Sequence, residues 1–153
     1  MVPLLRRVAE HVLAAEGFRS GTLSIAVVSA RAMRALHREF TGRPGPTDVL
    51  AFDLDSDRRA GRLDAEVILC ADVARRQAAT RGGTLQAARA ELALYLVHGI
   101  LHLAGYDDHA PRQFVTMHLR EDELLERLGL GPVFNAASSR SAGCIGRARA
   151  RRP

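Results

Sequence analysis

The hydrophobic positions of this chain follow the period of an amphipathic helix in several segments. Residues 3–16 carry apolar side chains on one side. A second apolar stripe, formed by Met33, Leu36 and Phe40, follows Ser29, which can cap a helix. The same pattern predicts three more helices, one capped by Asp72, one capped by Thr84 and one beginning at Pro111. They are expected to end near Gly82, Gly105 and Gly129.

Short apolar runs at residues 23–28, 49–54 and 65–71 predict three strands. A helix separates the first two runs, so a crossover connection predicts that these strands are parallel. The polar turn at residues 56–62 is short enough to make the second and third strands an antiparallel pair. The pattern predicts an α+β fold, a single domain with a small mixed sheet of three to four strands and about five helices packed on it.

The positive charge of the 153-residue chain is concentrated at one end. All 22 basic residues are arginines, and five of them follow Asn135, where no acidic residue occurs. The preceding residues carry equal numbers of arginines and acidic residues, so the pI of about 10.4 is due to the arginines of the C-terminal tail. We predict a folded domain over residues 1–130 and an Arg-rich disordered tail over residues 131–153, whose composition cannot bury a core.

Several protein classes are disfavoured by the composition. The stretch 92–106 lacks Asp, Glu and Arg but contains two histidines and is too short to span a bilayer. The first residues are interrupted by charges, so no signal-peptide core is expected. Cys70 and Cys144 are isolated, which suits a reducing compartment and excludes a thiolate metal site. We expect a cytoplasmic protein with no membrane partner.

The segment HGILHLAGYDDH, residues 98–109, carries the candidate chemistry. His98 and His102 are four residues apart, so a helix presents both imidazoles on one face, within reach of one metal ion. Gly105 ends the helix, and a short return loop can bring His109 back towards the pair. Three imidazoles with an open fourth position are typical of a catalytic zinc site. A purely structural histidine pair and Asp108 as a substitute ligand remain alternatives.

Gly99 lies between the two histidines in mid-helix. A glycine there costs about 1 kcal/mol relative to alanine, so some other group is expected to approach the backbone closely. Gly99 also distinguishes the motif from H-E-x-x-H, in which the glutamate is the general base of a metalloprotease. The missing glutamate argues against a zinc peptidase.

The whole segment resembles the H-G-x-L-H-L-x-G-Y-D-H signature of the YbeY family, bacterial zinc-dependent endoribonucleases that act in ribosomal RNA maturation. Residues 46–52, PTDVLAF, are similar to the P-T-D-V-L-S-F of that family. The strand-and-helix run at residues 65–78, Glu91-Leu92 and Glu123-Leu124-Leu125 match further pieces in the family's order. The resemblance covers roughly residues 5–130.

This resemblance implies an α+β fold with a groove leading to one zinc ion per chain, bound by His98, His102 and His109. It also implies cleavage of single-stranded RNA, at the 3′ end of small-subunit 16S ribosomal RNA, with the small ribosomal subunit as a partner. The alternative is a non-catalytic, zinc-stabilised ribosome assembly factor.

The chain departs from the family pattern at positions that bear on catalysis. The third histidine comes one residue later than usual, because both Asp107 and Asp108 precede it. Thr41 occupies a position where the family often has an arginine. Arg43, two residues on, is therefore our candidate catalytic residue. No general base is identified, and Asp107, Asp108 and a metal-bound hydroxide all remain open.

Three other residues have a structural interpretation beside a functional one. Glu91 lies seven residues before His98, about 10 Å along the helix axis, so it is too distant to bind the metal directly. It is either a supporting residue of the site or a solvated helix position. His118 is expected to be structural or at the surface. Arg58, beside Arg59, is expected on a solvated face, from which it could contact phosphate.

Overall fold

The computed structural model describes residues 1–131 and the backbone of residues 148–149. Its elements, in chain order, are α1 (Val2–Ala15), β1 (Ser20–Val28), α2 (Ala30–Thr41), β2 (Val49–Asp53), β3 (Arg62–Cys70), α3 (Ala71–Ala79), α4 (Leu85–Ala104), α5 (Pro111–Arg127) and β4 (Ala148–Arg149). The predicted α+β fold is confirmed. Most of the predicted disordered tail lies outside the described residues, and the backbone at 148–149 pairs in parallel with β2.

The sheet is mixed, with strand order β1-β3-β2-β4. As predicted, β2 and β3 are antiparallel. The prediction that β2 runs parallel to β1 is wrong, because β1 pairs in parallel with β3, which lies between them. Val28 pairs with Cys70 and Val49 with Leu69, so β1 ends where β2 begins. The connection through α2 therefore leaves and re-enters the sheet at the same end, and the crossover rule does not apply.

Helix α4 is the centre of the core. Every residue from Glu91 to Leu103 is buried, with α1, α3, α5 and one face of the sheet around it. The other face of the sheet is covered by α2, through a second apolar cluster built from Met33, Leu50, Phe52, Ile68 and Cys70. Within the described residues, no helix is long and apolar enough to cross a membrane.

Gly99 explains how closely α4 packs on the sheet. A Cβ atom at this position would lie 3.1 Å from Val49 Cγ2, 3.2 Å from Val67 Cγ1 and 3.7 Å from Ala51 Cβ. The close approach expected from the sequence is confirmed, and the approaching groups are β2 and β3 side chains. Gly99 therefore faces the sheet and sets the helix–sheet distance.

Side-chain caps fix the starts of two helices. Ser29 and Thr84 accept hydrogen bonds from the backbone N–H groups of the first turns of α2 and α4, as predicted. Helix α3 differs, because Cys70 occupies its N-cap position and Asp72 lies in the first turn. The Asp72 carboxylate instead accepts from Ala30 N at 2.6 Å, which ties the start of α2 to α3.

Candidate metal centre

His98 and His102 lie one turn apart at the C-terminal end of α4, and their rings converge. The two Nε2 atoms are 2.9 Å apart, and the ring planes are inclined at 89°. His98 is fully buried and His102 is 8% exposed. The predicted presentation of both imidazoles on one helix face is confirmed.

The Nδ1 atoms of both rings are held by acceptors on the far side. His102 Nδ1 lies 3.1 Å from the carbonyl oxygen of Tyr106, where the chain turns after Gly105. A carbonyl only accepts, so this nitrogen carries the proton. His98 Nδ1 lies 2.5 Å from Glu121 Oε1 on α5. Each partner therefore fixes the orientation of one ring.

The pKa of the Glu121 carboxyl is strongly shifted at this site. Burial raises its pKa, but hydrogen bonds and charge from His118 and His98 outweigh burial and lower the pKa to about 2. Glu121 is therefore an anion and accepts the His98 Nδ1 proton. With each Nδ1 atom held by an outer acceptor, the Nε2 atoms of both rings converge to 2.9 Å from each other. Two converging imidazole nitrogens could serve as ligands of one cation, with the outer acceptors orienting both rings.

Asp108 places a carboxylate on the Nε2 side of the pair. Its Oδ2 lies 3.9 Å from His98 Nε2, and its Oδ1 lies 3.9 Å from His102 Nε2. The ligand atoms of these three residues all lie within 4.8 Å of one another, so together they could hold a metal ion. The geometry is thus compatible with the alternative in which Asp108 is a metal ligand.

His109 lies at the rim of this centre. Its side chain is 76% exposed, and its Nδ1 is hydrogen-bonded to the Asp107 carboxylate. This bond raises the pKa of His109, and the positive charge of Arg43 opposes the rise. Asp108 Oδ1 lies 3.8 Å from His109 Nδ1, so one carboxylate separates His109 from the buried pair. The structure therefore brings His98 and His102 together and leaves His109 beside them.

Two arginines approach the loop after α4. Arg43 follows α2 in an exposed loop and exerts its charge on His109. Thr41, at the family's arginine position, donates its hydroxyl to the His37 carbonyl oxygen at 2.6 Å. The guanidinium of Arg58 lies over Gly105, where any larger side chain would collide with it. Arg58 is thus at the end of α4, a position that the strand–turn–strand pattern did not predict.

Sequence reasoning missed Glu121 and left the environment of Glu91 open. The interpretation of Glu91 as solvated is wrong, because it is buried and pairs with Arg81 at 2.8 Å. His118 is buried, as a structural residue would be, and it also contacts Glu121, which contacts His98. The three-residue spacing of His118 and Glu121 places them on one face of α5, the only sequence signal of their association.

The structure is thus an α+β domain in which a histidine pair that could hold a metal ion lies at the end of the buried central helix. The chain belongs to the YbeY family: residues 2–129 match the family described as "Endoribonuclease YbeY". The resemblance inferred from the histidine segment is confirmed.

Individual relatives agree with this assignment. The "Endoribonuclease YbeY" of Anaeromyxobacter sp. (strain Fw109-5) is 40% identical over 126 residues, covering 82% of this chain and 64% of the relative. That of Mycolicibacterium vanbaalenii is 41% identical over 113 residues, covering 68% and 60%. The chain thus spans less than two thirds of these curated relatives.

The fold also agrees with a solved structure. The solution structure of TM1509 from Thermotoga maritima aligns with a TM-score of 0.55 and 24% identity, covering 95% of this chain and 93% of that one. At this identity the comparison supports the fold alone.

Proposed function

We propose that this protein is a zinc-dependent endoribonuclease that cleaves single-stranded RNA. Its proposed role is maturation of the 3′ end of small-subunit 16S ribosomal RNA, in the cytoplasm, with the small ribosomal subunit as a partner. The observation that carries the proposal is the pair of facing Nε2 atoms of His98 and His102. The relatives are named as endoribonucleases, which favours cleavage over a non-catalytic assembly factor. The test is whether RNA cleavage depends on zinc and on His98.

Zinc fits the donors at this centre. Imidazole nitrogens are common zinc ligands, and catalytic zinc sites use three protein ligands with one position open. We assign one zinc ion per chain to His98, His102 and His109, with the exposed His109 side chain turning inward past Asp108. Asp108 is the alternative third ligand.

A bound zinc ion supplies Lewis-acid chemistry, lowering the pKa of water and stabilising negative charge on phosphoryl oxygens. Around it, Glu121 and the Tyr106 carbonyl hold the two buried imidazoles in orientation. We assign phosphate binding to Arg43, an exposed cation whose charge acts on His109 of the same loop. With His109 as the third ligand, the Asp108 carboxylate would be available to accept the proton of the attacking water.

The geometry disfavours a zinc peptidase beyond the missing glutamate. Position 99 faces Val49 and Val67 of the sheet rather than the metal centre. A side chain there would be directed into the core, so this position does not supply a general base in this fold.

The third ligand is tested by comparing two neighbouring substitutions. We expect His109→Ala to abolish tight zinc binding, because it removes one of three ligands, and Asp108→Ala to retain it. The measurement is zinc stoichiometry after dialysis against a weak chelator. Asp107→Ala, which removes only the hydrogen-bond partner of His109, is the control. Loss of zinc in Asp108→Ala with retention in His109→Ala would reverse the assignment.

The folded unit that we assign to catalysis is residues 1–130. The five arginines after Asn135 are expected to add non-specific RNA affinity by releasing counterions. Deleting residues 136–153 should leave zinc content and single-turnover cleavage nearly unchanged and weaken RNA binding at low salt. The slope of log affinity against log salt should also become shallower. Equal slopes for both proteins would show that the tail does not contact RNA.

A further inference from the structure

We propose that Glu121 and His118 are positioning residues that hold His98 in its metal-binding orientation and so set the zinc affinity of the site. The inference rests on the proposed metal centre and adds a second helix to it. The ligand pair lies on α4, whereas both positioning residues lie on α5. The affinity of the centre would thus depend on how α5 packs against α4.

The Glu121 carboxylate bridges two imidazoles. Its Oε1 lies 2.5 Å from His98 Nδ1, and its Oε2 lies 2.5 Å from His118 Nδ1. Glu121 and His98 are fully buried, and His118 is 7% exposed. Each carboxylate oxygen therefore accepts one ring N–H in a site from which bulk water is excluded.

The His118 ring is itself fixed by packing. It stacks on His98 with ring centroids 6.1 Å apart and planes inclined at 22°. Phe114 meets it edge to face, with centroids 4.2 Å apart at 73°. His118 is therefore held in the orientation in which its N–H points at Glu121, and it restrains Glu121 in turn.

Packing alone gives no reason for a carboxyl group here. A buried charge is costly, and apolar side chains of similar volume often stabilise a core as well or better. A carboxyl partner on the far side of a metal-binding histidine has a use, because its hydrogen bond fixes the tautomer and orientation of the ligand ring. Glu121 contacts the Nδ1 atom of His98, opposite the Nε2 atom that faces His102.

Glu121→Gln tests the bridge with little change in shape. An amide has one accepting oxygen and one donating nitrogen, so it cannot accept from both His98 and His118. We expect zinc affinity to fall by about 10- to 100-fold, the usual effect of losing such a partner. The matched control is Glu123→Gln on the same helix. In the described part of the chain Glu123 pairs with Arg120 and Arg127, so the control should bind zinc like the wild type.

Two substitutions of His118 separate hydrogen bonding from packing. His118→Phe keeps a ring and removes the donor, whereas His118→Asn loses the ring and places an amide N–H near the Nδ1 position. A positioning role predicts weaker zinc binding in His118→Phe and partial rescue in His118→Asn. A purely structural role predicts that His118→Asn, which loses the ring, gives a less stable zinc-free protein than His118→Phe. It also predicts that the two variants bind zinc equally well.

The measurement is zinc affinity by competition with a chromophoric chelator at fixed pH, with zinc-free thermal unfolding and helicity recorded for every variant. Wild-type affinity in both Glu121→Gln and His118→Phe, with one zinc per chain in the wild type, would overturn the positioning role. A wild-type protein that binds no zinc would instead overturn the proposed metal centre, and this inference with it. Should Glu121→Gln fail to fold, the two His118 variants decide the question.

Discussion

His98→Ala is expected to reduce zinc-dependent RNA cleavage by about 100-fold or more. Charge stabilisation by a catalytic metal is worth several kcal/mol, and each 1.36 kcal/mol is about tenfold in rate. The substitution removes one of the two Nε2 atoms that lie 2.9 Å apart. It also leaves Glu121 with one imidazole partner fewer.

The assay should measure zinc content and cleavage of a single-stranded RNA in the same preparations. His102→Ala is the companion variant, because its Nδ1 partner is a backbone carbonyl and no buried carboxylate is disturbed. His11→Ala on α1 is the control and should cleave like the wild type. Wild-type cleavage by folded, zinc-free His98→Ala and His102→Ala would mean that this centre does not carry the activity.

Gly99→Glu is expected to prevent stable folding. A Cβ alone would lie 3.1 and 3.2 Å from the Val49 and Val67 side chains, so a longer side chain must force α4 away from the sheet. Overpacking of a core costs about 1–3 kcal/mol, and an unpaired buried carboxylate adds several more. Their sum is comparable with the total stability of a small domain, about 5–15 kcal/mol.

Thermal and urea unfolding measure this loss. Gln86→Glu adds a carboxylate to an exposed position of the same helix and should change stability by less than about 0.5 kcal/mol. A Gly99→Glu protein as stable as Gln86→Glu would show that the helix–sheet contact is looser than described. Lost RNA cleavage with unchanged stability would instead place position 99 at the substrate.

The sequence predicted those features that depend on local chemistry. The caps Ser29 and Thr84 are predictable because their hydroxyls act within one turn. Gly105 is predictable as a helix end because glycine tolerates a positive φ, which is 102° in the structure. The direction of β2 depends instead on which strand lies between it and β1. Strand order depends on long-range packing, so it cannot be predicted from the apolar runs alone.

The candidate site shows the same division. His98 and His102 follow from helical spacing, so their convergence was predictable. Glu121 was not predicted, because its contact with His98 joins two helices. The exposure of His109 was equally unpredictable, since the loop after Gly105 lacks the periodicity that fixes side-chain direction.

Titration of the metal-free protein with zinc tests the central claim most directly. The protein is first freed of metal with a chelator, and cleavage of a single-stranded RNA is followed as zinc is added. The account predicts no cleavage without metal and a linear rise that levels off at one zinc per chain, absent in His98→Ala. Full cleavage by the metal-free protein, or cleavage unaffected by zinc, would contradict it.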